Sequence, residues 1–109
     1  MKKIDLSKYM ITFTKDGVEQ SSPFNVKDSI VELLFIPHLK LNGTKLLEQY
    51  ELAEKIKKSE DFILLEDAEY EKVKHSFEVY DQFDKNGVEL VRRVLEAETV
   101  DAQSLVNKD

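Results

Sequence analysis

Carboxylates are the most numerous side chains in this sequence that could do chemistry. The 109 residues include 22 Asp and Glu, so neighbouring acidic pairs are unavoidable. Acid–base catalysis by such a pair needs one carboxyl to be desolvated, so that its pKa rises. The densest group, however, lies where a helical pattern begins, and the helix dipole stabilises ionised carboxylates there. We therefore interpret these acids as a solvated charged surface.

The acidic residues are concentrated in the C-terminal half of the chain. Residues 59–109 carry fourteen acids against six Lys and Arg, whereas residues 1–58 carry eight acids against ten bases. Such a surface attracts basic partners. The excess that helix construction leaves unexplained forms our candidate partner-binding set: Glu60, Asp61, Glu66, Asp67, Glu69, Glu71, Glu78, Asp81 and Asp84.

Other chemical signals fail on spacing. His38 and His75 are far apart in the sequence, and neither has the i,i+4 partner of a helical zinc site. Residues 81–87 superficially match a calcium loop. With Gly87 as the invariant glycine, however, the position that needs a bidentate Glu is Arg93. The chain has no cysteine and no glycine-rich phosphate loop. We predict no catalytic residue, metal or cofactor.

Composition predicts one compact domain over residues 1–98, followed by a flexible tail over residues 99–109. The chain is 41% hydrophobic and 35% charged, which is typical of a globular protein. The apolar run at residues 33–36 is too short to span a membrane. We read no secretion signal at the N-terminus. A soluble, cytoplasmic protein is expected.

The first elements should form a β-hairpin. Residues 9–14 are rich in aromatic and β-branched side chains, Asp16-Gly17 is a turn signal, and residues 18–24 return as a strand. Pro23 lacks an amide donor, which favours an edge strand or a fraying end. The aromatics of the first strand, Tyr9 and Phe13, are expected to be core residues.

Apolar periodicity then predicts helices over about 27–35, 44–58, 67–80 and 88–97. Asn25 and Asn86 are expected caps, with Glu89 reaching back to the amide of Asn86. Residues 62–65 are interpreted as a buried strand joining the hairpin, although an extended segment filling the core is an alternative. The predicted fold is α+β: an N-terminal hairpin, with or without this third strand, packed on three to four helices.

Three details of the helices can be checked. The second helix has so wide an apolar stripe that we expect it to pack on more than one side. In the fourth helix, Val88, Val91, Val94 and Leu95 are expected to face inward. The i,i+4 spacing predicts ion pairs between Glu51 and Lys55, Glu89 and Arg93, and Arg92 and Glu96.

By elimination, these features favour a small non-enzymatic protein-binding module: an adaptor, a regulator or an accessory subunit. Two alternatives are an acidic inhibitor or nucleic-acid mimic that acts on a basic protein surface, and a self-associating structural subunit. The partner is expected to be another protein. Direct nucleic-acid binding is not expected, because acids interrupt the basic stretch near the N-terminus. The Lys- and Glu-rich composition is typical of accessory proteins of bacteria and their phages.

Overall fold

The computed structural model describes residues 1–101 and confirms the α+β class. Short 3-10 helices at Pro37–Leu39 and Lys85–Gly87 precede the second and fourth α-helices. The strands are β1 (Lys2–Asp5), β2 (Tyr9–Lys15), β3 (Val18–Phe24), β4 (Phe62–Leu65) and β5 (Glu98–Thr99), and the helices are α1 (Val26–Leu33), α2 (Gly43–Lys58), α3 (Asp67–Val79) and α4 (Val88–Leu95).

β1 is the middle strand of an antiparallel sheet in the order β4-β1-β5. Ile4 pairs with Ile63, and both side chains are buried. The predicted strand at residues 62–65 is therefore confirmed, but its partner is β1 and not the hairpin. The sequence of β1 gave no strand signal, because Ile4 is its only apolar residue.

β5 joins the C-terminal part of the described chain to its beginning. Thr99 pairs with Lys2, the Val100 amide donates to the Met1 carbonyl at 2.8 Å, and the Met1 ammonium donates to the Val100 carbonyl at 3.2 Å. Of the predicted flexible tail, residues 102–109 lie outside the described residues.

β2 and β3 form a separate two-stranded sheet, the predicted hairpin. Asp16 and Gly17 both have positive φ, at 54° and 78°, as a type I′ turn requires. Lys15 and Val18 close the turn, so the backbone groups of every second residue from there bond across the hairpin. Pro23 lies between these hydrogen-bonded positions, where the backbone nitrogen points away from β2. Its missing amide hydrogen therefore removes no hydrogen bond between the two strands.

The core lies between the four helices and the inner face of the three-stranded sheet. Its buried polar groups are paired: Gln49 Nε2 donates to the Leu34 carbonyl at 3.0 Å, and the Tyr70 hydroxyl donates to the Val94 carbonyl at 2.7 Å. These bonds link α2 to the end of α1 and α3 to α4. The apolar core consists of Ile4, Leu6, Val26, Ile30, Leu33, Leu34, Leu52, Ala53, Ile56, Ile63, Leu65, Tyr70, Val73, Phe77, Leu90 and Val94.

Helix ends follow the sequence in part. Asn25 caps α1 as predicted, by accepting from the Asp28 amide, and Asn42 caps α2 in the same way. The Asn86 cap is wrong. Asp84 accepts from the Asn86 amide instead and begins a 3-10 turn, and α4 then starts at Val88 without a side-chain cap.

Two expectations about buried faces are corrected. Among residues 1–101, α2 buries one side only, and Leu46, Leu47 and Tyr50 are exposed. In α4, Val94 is buried as expected, but the other buried residue is Leu90. The core-facing side is therefore centred between these two, so that Val91 is half-buried and Val88 and Leu95 are exposed.

Of the three predicted ion pairs, one forms. Arg93 Nε lies 2.7 Å from Glu89 Oε2. Lys55 contacts Glu69 of α3 at 2.8 Å rather than Glu51, because tertiary packing brings the acid of another helix closer. No ion pair joins Arg92 to Glu96 among the described residues.

None of the helices in residues 1–101 is long and apolar enough to cross a membrane.

The central position of β1 makes Ile4 the most informative core residue to change. Ile4→Ala should lower the free energy of unfolding by about 3 kcal/mol, because it leaves a cavity between β4 and the helices. Leu47→Ala, at a position 66% exposed, should change it by less than about 0.5 kcal/mol. Urea denaturation measures both values, and equal losses would contradict the burial of β1.

Candidate protein-binding surfaces

Three of the predicted partner-binding acids share the exposed face of α3. Asp67, Glu71 and Glu78 occur at i, i+4 and i+11, a spacing that places them on one side of a helix. All three are exposed, and none takes part in the ion pairs found among residues 1–101. Lys74 lies on the same side and is half-buried. The structure thus brings these three acids together, with one interleaved base.

Glu66 and Glu69 are engaged by the start of α3. Glu69 Oε1 accepts from the Glu66 amide at 2.9 Å and from Lys55 Nζ at 2.8 Å. Partial burial alone would raise the pKa of Glu69. The hydrogen bonds from Lys55 and from the Glu66 amide outweigh it, and the pKa lies below its usual value. Glu69 therefore works mainly in joining α2 to α3.

The remaining predicted acids lie in separate local environments. Asp61 borders a shallow cleft with Lys3 and Arg93, and Glu60 precedes it on the exposed approach to β4. Asp84 caps the 3-10 turn. Asp81 Oδ1 lies 3.4 Å from His38 Nε2. The predicted set is thus distributed over several surfaces.

Arg93 connects the hairpin, the sheet and α4. Its Nη1 donates to the Ser7 carbonyl at 2.6 Å, and its Nε donates to Glu89. The guanidinium lies over the ring of Tyr9, 5.0 Å from its centre, and only 14% of the side chain is exposed. The sequence predicted the ion pair with Glu89 but not the contacts of Arg93 with Ser7 and Tyr9.

The base of the hairpin is fixed by Tyr9. Its ring stacks on Phe24 across the strands at 5.0 Å, and its hydroxyl donates to the Asn86 carbonyl at 2.9 Å. Asn86 Nδ2 in turn donates to the Thr12 carbonyl at 3.4 Å. Asn86 thus holds the outer edge of β2 instead of capping α4.

The hairpin tip, residues 13–20, is exposed on both faces. Two apolar side chains lie on the same face of the tip: Phe13 is 37% exposed and Val18 is 59% exposed. Because Phe13 pairs with Gln20 and Lys15 with Val18, Phe13 and Val18 are diagonal neighbours. Phe13 was expected in the core. The polar partner strand, with Gln20, Ser21 and Ser22, was the sequence signal that little is buried here.

Two helices also expose apolar side chains. On α2 these are Leu46, Leu47 and Tyr50, and on α4 they are Val88 and Leu95. The sequence analysis predicted that both groups lie on buried faces. The helical spacing of these apolar residues does not reveal whether another part of the domain covers them.

The histidines contribute no cluster. His38 contacts Asp81 and the edge of the Tyr80 ring, whereas His75 borders a different surface depression with Glu71 and Lys72. Within residues 1–101, no group of three or more His, Cys, Asp or Glu side chains could hold a metal ion.

Comparison with protein-family models, with curated proteins and with solved structures finds no match to this chain.

Replacing Arg93 should loosen the hairpin from the body. Arg93→Met keeps the aliphatic length but removes the bonds to Ser7 and Glu89, which should cost about 2 kcal/mol of unfolding free energy. The neighbouring Arg92 is exposed, so Arg92→Met removes the same charge and should cost less than about 0.5 kcal/mol. Chemical denaturation tests the difference, and two variants of equal stability would contradict the role of Arg93.

The Glu69–Lys55 contact should give a pH-dependent contribution. Because the folded pKa of Glu69 is lowered, its stabilisation is present above the unfolded pKa and is lost as pH falls through the folded pKa. Glu69→Gln should therefore be less stable than the wild type at neutral pH, by under about 1 kcal/mol, and the difference should vanish in acid. Thermal unfolding between pH 7 and pH 2 measures this, with the exposed Glu71→Gln as the control.

Proposed function

We propose that this chain is a non-enzymatic protein-binding module, an adaptor, regulator or accessory subunit, that contacts its partner through the hairpin tip. The supporting observation is that Phe13 and Val18 continue the apolar face of the hairpin beyond the part that the body of the protein covers.

Strand alternation defines this face. Tyr9, Ile11 and Phe13 point to one side of β2, and Val18 and Phe24 are on the same side of β3 through their cross-strand pairs. Near the base, Tyr9 and Phe24 pack against the core. Toward the tip, the same face is open to solvent. An apolar face that is half covered by its own domain is suited to being completed by another chain.

Energetics point the same way. An isolated two-stranded hairpin is only marginally stable in water, and full burial of an apolar side chain contributes about 1.5–3 kcal/mol. A partner with an apolar groove would bury Phe13 and Val18, and the same contact would order the hairpin tip. We expect that partner in the cytoplasm, since a cysteine-free chain suits a reducing compartment.

The hairpin edges favour docking by side chains over strand addition. Pro23 withholds a donor from the outer edge of β3, and Asn86 occupies the Thr12 carbonyl on the outer edge of β2. Both edges are thus interrupted away from the tip, which hinders strand addition there.

The acidic face of α3 supports a second candidate, an inhibitor that acts on a basic protein surface. Asp67, Glu71 and Glu78 would supply the charge. Lys74 lies among them and Lys72 beside them, which weakens the local negative potential. The hairpin remains the first candidate for this reason.

The proposal is tested by a double substitution at the tip. Phe13→Thr with Val18→Thr keeps two good β-formers but removes the apolar contact. Tagged wild-type protein should capture a partner from the cells that make it, and the double variant should lose that partner. The partner, identified by mass spectrometry and purified, should bind the wild type at least about tenfold more tightly than the variant.

A matched control is available on the opposite face of β2. Thr12→Ser with Thr14→Ser alters the same strand without touching the apolar face and should retain the partner. Circular dichroism checks that each variant still folds. Equal capture by the Phe13/Val18 variant would sink the proposal. Wild-type protein that associates only with itself in light scattering would instead identify a structural subunit.

A further inference from the structure

α4 is apolar on two sides, and residues 1–101 bury only one of them. Leu90 and Val94 point into the core, whereas Val88 is 51% and Leu95 39% exposed, with Val91 half-buried between them. Val88, Val91 and Leu95 follow the i, i+3, i+7 spacing of a helical stripe. Helix formation alone does not require this second stripe, because Ala, Lys or Glu would form the helix better at exposed positions.

The open stripe forms one wall of a groove. Phe83, from the segment between α3 and α4, lies beside it, and the cavity on this side measures about 360 Å³. A second cavity of about 270 Å³ shares Phe83 and Gly87 with the first and is also lined by Leu33, Ile36 and Tyr80. We call the two cavities together the α4 groove.

Gly87 lines both cavities of the groove. A Cβ atom at this position would lie 3.2 Å from Cδ1 of the Phe83 ring, closer than an ordinary van der Waals contact. The missing side chain lets Phe83 pack against the backbone and leaves the groove open on both sides of the ring. The ring of Phe83 also packs against the rings of Phe77 and Tyr80, and these contacts hold it in place.

The charged residues of the groove are mainly acidic. Glu32 borders one cavity, Glu96 borders the other, and Asp84 borders both, whereas Arg92 is the one basic residue that lines them among residues 1–101. Glu32, Asp84 and Glu96 are exposed. An apolar floor with a net negative border is complementary to an apolar stripe flanked by Lys or Arg.

We infer that the α4 groove binds a basic amphipathic helix of another protein. The i, i+3, i+7 stripe of α4 offers the ridge that a second helix packs against, and an apolar face with flanking cations would meet Phe83 and the three carboxylates. This site is distinct from the hairpin tip and rests on different residues. It therefore stands or fails independently of the proposed function.

A designed peptide tests the inference directly. The probe is a fluorescein-labelled helix of about five turns, with Leu on one face and Lys on the other, and fluorescence anisotropy measures its binding to the full-length protein. Val88→Ser with Leu95→Ser should weaken binding at least about tenfold, because both side chains are exposed and can be replaced without opening the core. Glu32→Gln with Glu96→Gln should weaken it severalfold at low salt and little at high salt.

Matched controls separate the groove from general attraction between a basic peptide and an acidic protein. Leu47→Ser removes an exposed apolar residue on α2, and Glu51→Gln with Glu60→Gln removes the same charge elsewhere. Both should bind the peptide as the wild type does. A peptide with every Lys replaced by Glu should not bind.

Three results would overturn the inference: no binding by the wild type, equal loss in the control variants, or equal binding of the Glu peptide. A fourth is self-association. If the wild type is a dimer in light scattering and Val88→Ser with Leu95→Ser makes it a monomer, a second copy covers the groove and the proposed helix does not.

Discussion

The fold depends on the burial of β1 between two strands that come from much later in the chain. Ile4 is held against Ile63 of β4, and Lys2 pairs with both Leu65 and Thr99. These pairings close long loops, whose entropy must be overcome before the contacts stabilise anything. The helices between them supply the compensating apolar burial. Neither the sheet nor the helical layer is complete without the other.

The hairpin depends less on that core, because its strands pair only with each other. Its own pairing is local and is set by the Asp16-Gly17 turn, but its direction is set by Arg93 and Asn86, which reach it from the α4 region. The same few residues therefore fix the angle between the hairpin tip and the α4 groove. A partner that contacts both surfaces would meet them in a defined arrangement.

Local signals predicted the hairpin, the four helices and the strand at residues 62–65, because turn residues and apolar spacing act over a few positions. They failed where the deciding partner is distant. β1 has one apolar residue and forms only because β4 and β5 flank it. Asn86 has the sequence of a cap but serves β2. Val88 and Leu95 follow a buried pattern, yet the core lies against Leu90 and Val94, on another side of α4. The candidate surfaces were missed for the same reason. A sequence shows which residues are apolar, but it does not show which of them are buried by distant parts of the chain.

Pro23 and Asn86 have a consequence for the behaviour of the protein at high concentration. Residues 9–14 combine β-branched and aromatic side chains without proline, a composition that is prone to fibril formation when its edge is open. Here one edge is paired with β3, the other is engaged at Thr12, and the outer edge of β3 is interrupted by Pro23. The hairpin can thus expose an apolar face without also exposing a free strand edge to which other copies of the chain could pair. Loss of the Asn86 contact would expose the β2 edge at Thr12, so the same segment that suits recognition would become the first to aggregate.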